Sequence, residues 1–175
     1  MKREMLVILM IMTSPFLLKS QSKSSPGRTE TLSWIKEKLE TYTYYTSNIK
    51  IERRISFDNI NQTMIIEELN YYAPSGKKRI SVEIPLSKLN SSSISIDKGT
   101  EKWVVFHVIL RTNNGTNDIK HTIYDYITGE EYQVQSSDVK IFVTTDALLD
   151  NIDTRLKDAF SHAIRLSGGT TKEIF

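Results

Sequence analysis

Residues 103–126 read WVVFHVILRTNNGTNDIKHTIYDY, two apolar runs on either side of Asn114-Gly115. Asn-Gly is favoured in a two-residue type I′ turn because both central positions need positive φ. A hairpin closed there pairs Phe106 with Ile123, Val108 with His121 and Leu110 with Ile119 on one face. The other face pairs Trp103 with Tyr126, Val105 with Tyr124 and Ile109 with Lys120. The first face is nearly all apolar and reads as core, while the second is mixed. The same register sets His107 opposite Thr122, so His107 and His121 point to opposite faces of the sheet.

Outward from this hairpin the period stays at two. In IKIERRISF (49–57), Ile49, Ile51, Ile55 and Phe57 alternate with Lys50, Glu52, Arg54 and Ser56, as in a half-buried strand. The turn at 58–61 (DNIN) leads to TMIIEELNYY (63–72), a second strand. Pro74-Ser75-Gly76 turns into a third, carried by Ile80, Val82, Ile84 and Leu86, and Ile94 with Ile96 marks a short fourth. Downstream, YQVQSSDVKIFV (132–143) holds the seventh strand, with a break expected near Ser136-Ser137. Two helices flank the strands. Leu32, Ile35 and Leu39 stripe the first, over 30–41, with Thr29 or Thr31 as cap. Ile152, Leu156, Ala159, Phe160, Ala163 and Ile164 stripe the last, which Asn151 or Asp153 can cap and Gly168-Gly169 ends.

These elements define one α+β domain over 30–169, after a flexible leader (23–29) and before a short tail (170–175). The expected architecture is a seven-stranded antiparallel curved sheet or barrel, with a C-terminal capping helix and an extra N-terminal helix. The alternative is a helix-plus-curved-sheet cone in which the first helix fills the sheet. Seven antiparallel strands followed by one amphipathic helix resembles the pleckstrin-homology-like barrel. IPLSKL (84–89) resembles a turn common in such domains, and DTRLKDAFSHAIRLSGG (153–169) resembles the C-terminal helix of small exported bacterial proteins. The resemblance is topological and implies a fold. In eukaryotic members, phosphoinositide binding uses Lys and Arg around the first hairpin. Here that turn is DNIN and the second strand carries Glu67 and Glu68, so no phosphoinositide partner is expected.

Residues 1–22 read MKREMLVILMIMTSPFLLKSQS. Lys2 and Arg3 precede an apolar run from Met5 to Leu18, which is short against the roughly 20 residues of a spanning helix. Small polar residues follow. This is the layout of a cleaved signal peptide, so the chain is expected in the periplasm or outside the cell. An uncleaved anchor is the alternative, and the only expected route to a membrane. Cleavage after Ser20 removes three of the 23 basic groups and one of the 21 acidic groups, taking the formal charge from +2 to 0. A neutral chain has no net pull toward nucleic acid.

With 0 Cys and only 3 His among 175 residues, thiol chemistry is excluded and metal ligands are scarce. His107 and His121 point apart with no third ligand near, so neither a metal nor any cofactor is expected. Asp158, Ser161 and His162 sit on one helix, where they cannot converge as a triad. Glu67 and Glu68 point to opposite faces of a strand, and Glu130-Glu131 follow Gly129 in a turn. What remains is a non-catalytic, exported binding or interaction module with a protein or peptide partner. A groove or an exposed strand edge suits strand addition. Trp103, Tyr124 and Tyr126 form the candidate surface, although helix 30–41 also needs a partner and packing beneath it is the reading favoured for that face. The competing class is a small-ligand carrier or hydrolytic enzyme using a cavity near His121, with Asp125 as that histidine's expected partner.

The leader generates a direct test. N-terminal sequencing of exported protein is expected to begin between Gln21 and Lys23. Material starting at Met1 would show an anchor instead.

Overall fold

The structure, a computed structural model, describes residues 25–43, 49–72, 76–98 and 105–170. Helix α1 (Arg28–Thr41) precedes strands β1 (Ile49–Asp58), β2 (Thr63–Tyr72), β3 (Gly76–Pro85), β4 (Ser95–Asp97), β5 (Val105–Arg111), β6 (Ile119–Asp125), β7 (Glu131–Ser136) and β8 (Asp138–Thr144). Helix α2 (Ile152–Leu166) closes the fold. Residues 1–24, with the signal segment, and 171–175 of the tail lie outside the described residues, as does Trp103.

The α+β class, the antiparallel strands and the C-terminal helix are as expected, but the strands do not close into a seven-stranded barrel. They form two sheets, one of five strands in the order β1-β2-β3-β6-β7 and one of three in the order β4-β5-β8. The expected hairpin is where the difference arises. Asn114 and Gly115 do take φ of +59° and +70°. Yet β5 pairs with β4 and β8, whereas β6 pairs with β3 and β7. The Thr112 N–H does not pair with β6: it donates to Ser137 O at 2.8 Å. The physical reason lies in β5 itself. Phe106, Val108 and Leu110 are fully buried on one face and Ile109 is 6% exposed on the other. A strand apolar on both faces needs a central position, and a hairpin with β6 alone would not supply it. The break near Ser136-Ser137 is present. It divides the expected seventh strand into β7 and β8 and hands the chain from the large sheet to the small one.

One core joins the sheets and both helices. Ile55, Met64, Ile66, Val82, Ile84 and Ile119 come from the large sheet, and Phe106, Val108, Leu110, Val139, Ile141 and Val143 from the small. Leu32, Ile35 and Leu39 of α1 enter the same core as Leu156, Phe160, Ala163 and Ile164 of α2. The filler is therefore both helices, packed on each other, rather than the first or the last alone. Helix α1 begins two residues before the expected start, where Glu30 accepts from the Gly27 N–H at 3.1 Å. Its side also guards an edge of the large sheet. Lys36 Nζ donates to Ile55 O at 2.7 Å, Glu40 accepts from Ile55 N–H at 2.7 Å, and the two side chains pair with each other. Burial pushes the Glu40 carboxyl up, but Lys36, the Ile55 N–H and Arg54 outweigh it and leave it below the usual carboxylate range.

Arg53 ties the same helix from beneath. Its side chain is fully buried, Nη1 donates to Leu39 O at 3.1 Å, and Nε donates to Glu68 Oε1 at 2.8 Å. Nη2 also lies 2.8 Å from that carboxylate oxygen, off the hydrogen-bond direction. A guanidinium on a carbonyl in the last turn of a helix opposes the dipole there. At the far end of α2, Gly169 is required by close approach: a Cβ would meet Ile164 at 2.3 Å and the carbonyls of Leu86 and Leu89 at 2.9 Å.

Phe160 is fully buried in the shared core. Phe160→Ala is expected to cost about 3–5 kcal/mol, read as a lowered midpoint in urea unfolding. An unchanged midpoint would mean that α2 does not hold the core.

Candidate functional site: a groove between the sheets

Pairing across the large sheet sets its inward side chains in rows. One row runs Ile55, Ile66, Val82, His121 and Val134, and the next runs Arg53, Glu68, Ile80, Ile123 and Tyr132. Along the first, cover is lost step by step: Ile55 and Ile66 are buried, His121 is half-buried and Val134 is 49% exposed. The small sheet covers only part of this face, because β8 leaves β7 at Ser137 and its core side chains Val139 and Ile141 pack over the nearer rows. The uncovered remainder is a groove of about 460 Å³. Ile80, Ile123 and Val134 form its floor and the Asp138–Phe142 segment of β8 its wall. Tyr132 and Phe142, at 47% and 40% exposure, add apolar surface on the strands that border it.

His121 sits within this floor. Its Nε2 lies 2.8 Å from Ser136 Oγ, and that hydroxyl donates to Asp138 O at 2.6 Å. A serine has one hydroxyl proton; with it placed on the Asp138 carbonyl, the imidazole must donate through Nε2–H. The pair thus lacks the polarity of nucleophile and base, in which the imidazole takes the serine's proton. Burial lowers the His121 pKa, and the nearby negative charge of Asp138 offsets only part of that. Burial thus favours the uncharged imidazole.

Asp125 is not the partner of His121. Its carboxylate accepts from Ile127 N–H at 2.8 Å and lies 3.2 Å from Lys78 Nζ. The Ile127 N–H, with Lys78 and Thr128 N–H, holds it below the usual carboxylate range. His107 and His121 stand in different sheets, and no group of three or more potential metal ligands occurs among the described residues. His162 Nε2 lies 2.9 Å from Pro26 O and so ties the leader to α2.

The structure brings Tyr124 and Tyr126 together, edge to face at 4.8 Å between ring centres, on the outer face of the large sheet. Lys77 Nζ stands 4.7 Å from the Tyr126 ring and 5.3 Å from that of Tyr71, and the Arg79 guanidinium is 5.6 Å from Tyr124. They do not pack beneath α1, which turns its stripe to the core on the other side of the sheet. A second cleft of about 610 Å³ runs between α1 and α2. It is larger than the groove, and two of its polar side chains are engaged: His162 with Pro26 O, and Arg155 with the Trp34 ring at 5.0 Å. Comparison of the chain with protein-family models, with curated proteins and with solved structures finds no match.

The depressed His121 pKa makes stability pH-dependent in a defined window. The unfolded histidine takes up a proton near pH 6.5, before the folded one does, so stability falls as pH drops below about 6.5 and this loss ends below the folded pKa. Carboxylates held low, Asp125 and Asp153 (the latter by Lys98), add a separate loss below about pH 4. Melting temperature against pH is expected to show both limbs. His121→Gln should flatten the upper limb and leave the lower one.

Proposed function

We propose that this protein is a non-catalytic, exported module that binds an apolar segment of a protein or peptide partner in the groove between its sheets. Export rests on the leader at 1–22. The observation that carries the binding reading is the uncovered apolar floor, Ile80, Ile123 and Val134, beside a sheet edge. Exposed apolar area concentrated in one concave place marks an interaction site, because scattered exposure would not form a contiguous surface. The hydrogen bonding of Ser136 and His121 supports a binding role over a hydrolytic one. The outer pair Tyr124 and Tyr126 remains a second surface, and its tyrosines already hold the cations Lys77 and Arg79. The second reading, a carrier of a small apolar ligand, draws on the groove volume, which lies within the roughly 300–1,000 Å³ of small-molecule sites.

The test uses anilinonaphthalene sulfonate, whose fluorescence rises in apolar pockets. Val134→Glu places a charge on the floor at a half-exposed position. It is expected to lower dye binding several-fold with a change in unfolding free energy of about 0.5 kcal/mol or less. Undiminished dye binding would remove the groove as the site. Ester or peptide hydrolysis abolished by Ser136→Ala would move the assignment to an enzyme.

A further inference from the structure

The free edge of β8 has a defined length. Thr112 N–H donates to Ser137 O, which fixes the alternation: odd-numbered positions of β8 face β5 and even-numbered ones face away. At Thr144 the outward N–H is taken by Tyr42 O at 3.1 Å. At Asp138 the outward carbonyl is taken by Ser136 Oγ at 2.6 Å. Between these engaged ends stand the N–H and C=O groups of Lys140 and Phe142, with no partner strand among the described residues, where β8 is an edge of its sheet. The open half of the large sheet lies beside them.

We infer that this edge accepts one short extended peptide, added antiparallel to β8 as a fourth strand of the small sheet, with a recognisable side-chain order. The inference rests on the groove being the binding site and goes further, to the conformation and chemistry of the occupant. An antiparallel strand meets the N–H and C=O of Lys140 and Phe142 with two residues of its own, four hydrogen bonds across three positions. Residues of the peptide beside Ile141 and Val139 share their face and rest on the floor, so they are apolar. Residues opposite Phe142, Lys140 and Asp138 lie on the other face. Phe142, 40% exposed, takes an apolar or aromatic neighbour. Lys140 is exposed, so it takes an acid. Asp138 takes a base. From N- to C-terminus the occupant reads aromatic, apolar, acidic, apolar, basic.

The probe is acetyl-Phe-Val-Glu-Val-Lys-amide carrying a fluorophore on its lysine, titrated with the full-length chain by anisotropy. Saturable binding is expected. N-methylation of the Phe and Glu nitrogens should weaken it at least tenfold, because those N–H groups face β8. N-methylation of the two Val nitrogens should leave it unchanged. Lys140→Glu should weaken this peptide several-fold and favour the version with Lys in place of Glu. Equal loss from both methylation patterns, or no charge preference, would overturn strand addition. Absence of peptide binding while the dye still occupies the groove would overturn it too, yet leave the groove as a binding site. Loss of both would end both readings. A dimer in sedimentation that dissociates on Lys140→Glu would assign the edge to a second copy and likewise overturn the peptide.

Discussion

Two strands that could have stayed paired instead part company at Thr112 and Ser137, and the rest of the molecule is arranged around that division. Thr112 N–H and Oγ1 both reach Ser137 O, at 2.8 and 3.1 Å, and the same hydroxyl lies 2.6 Å from Thr116 O. These bonds hold the last residue of the β5–β8 ladder beside the first turn toward β6. On one side of them the chain belongs to the small sheet, on the other to the large. Because the sheets diverge there, the core is thick near Ile55, Met64 and Ile84 and empty near Ile80, Ile123 and Val134. The groove is the geometric remainder of that divergence.

The α1 flank of the molecule is closed by charge as well as by the apolar stripe of Leu32, Ile35 and Leu39. Arg53, Lys36 and Glu40 each serve backbone groups: Leu39 O, Ile55 O and Ile55 N–H. A buried arginine stripped of its carboxylate is costly, and Glu68 keeps it matched. Edge strands in soluble proteins are commonly blunted by charged side chains or a covering helix, and β1 receives both.

Much of the local structure was legible in the residues. Parity along β1 and β3 named the buried side chains Ile55 and Ile84, and the spacing of Leu156, Phe160 and Ala163 named the buried face of α2. The break at Ser136-Ser137 could be read as well. The pairing of β5 could not, because Asn-Gly specifies two backbone angles and says nothing about which strands its flanks join. A sharper signal was present in β5: apolar side chains at successive positions 108, 109 and 110 mark a strand with neighbours on both sides. Of the site, His121 was recognised but its partner was not, since Ser136 reaches it across the β6–β7 ladder, a register the sequence leaves open. Val134 and Phe142 looked like ordinary strand residues, and only the tertiary arrangement exposes them.

The clasp on Ile55 also bears on how the chain is made. During synthesis α1, β1, β2 and β3 emerge first, and the turns between these strands are short, so this meander can assemble early. At that stage Lys36 and Glu40 can already occupy the β1 edge. The opposite edge, β3, waits for β6, which follows only after β4, β5 and the Thr112–Asp118 connection have been added. A half-made chain is therefore shielded on one flank and open on the other. Growth of the sheet is directional, and a pause in elongation before Ile119 is the stage at which β3 is most exposed to a foreign strand.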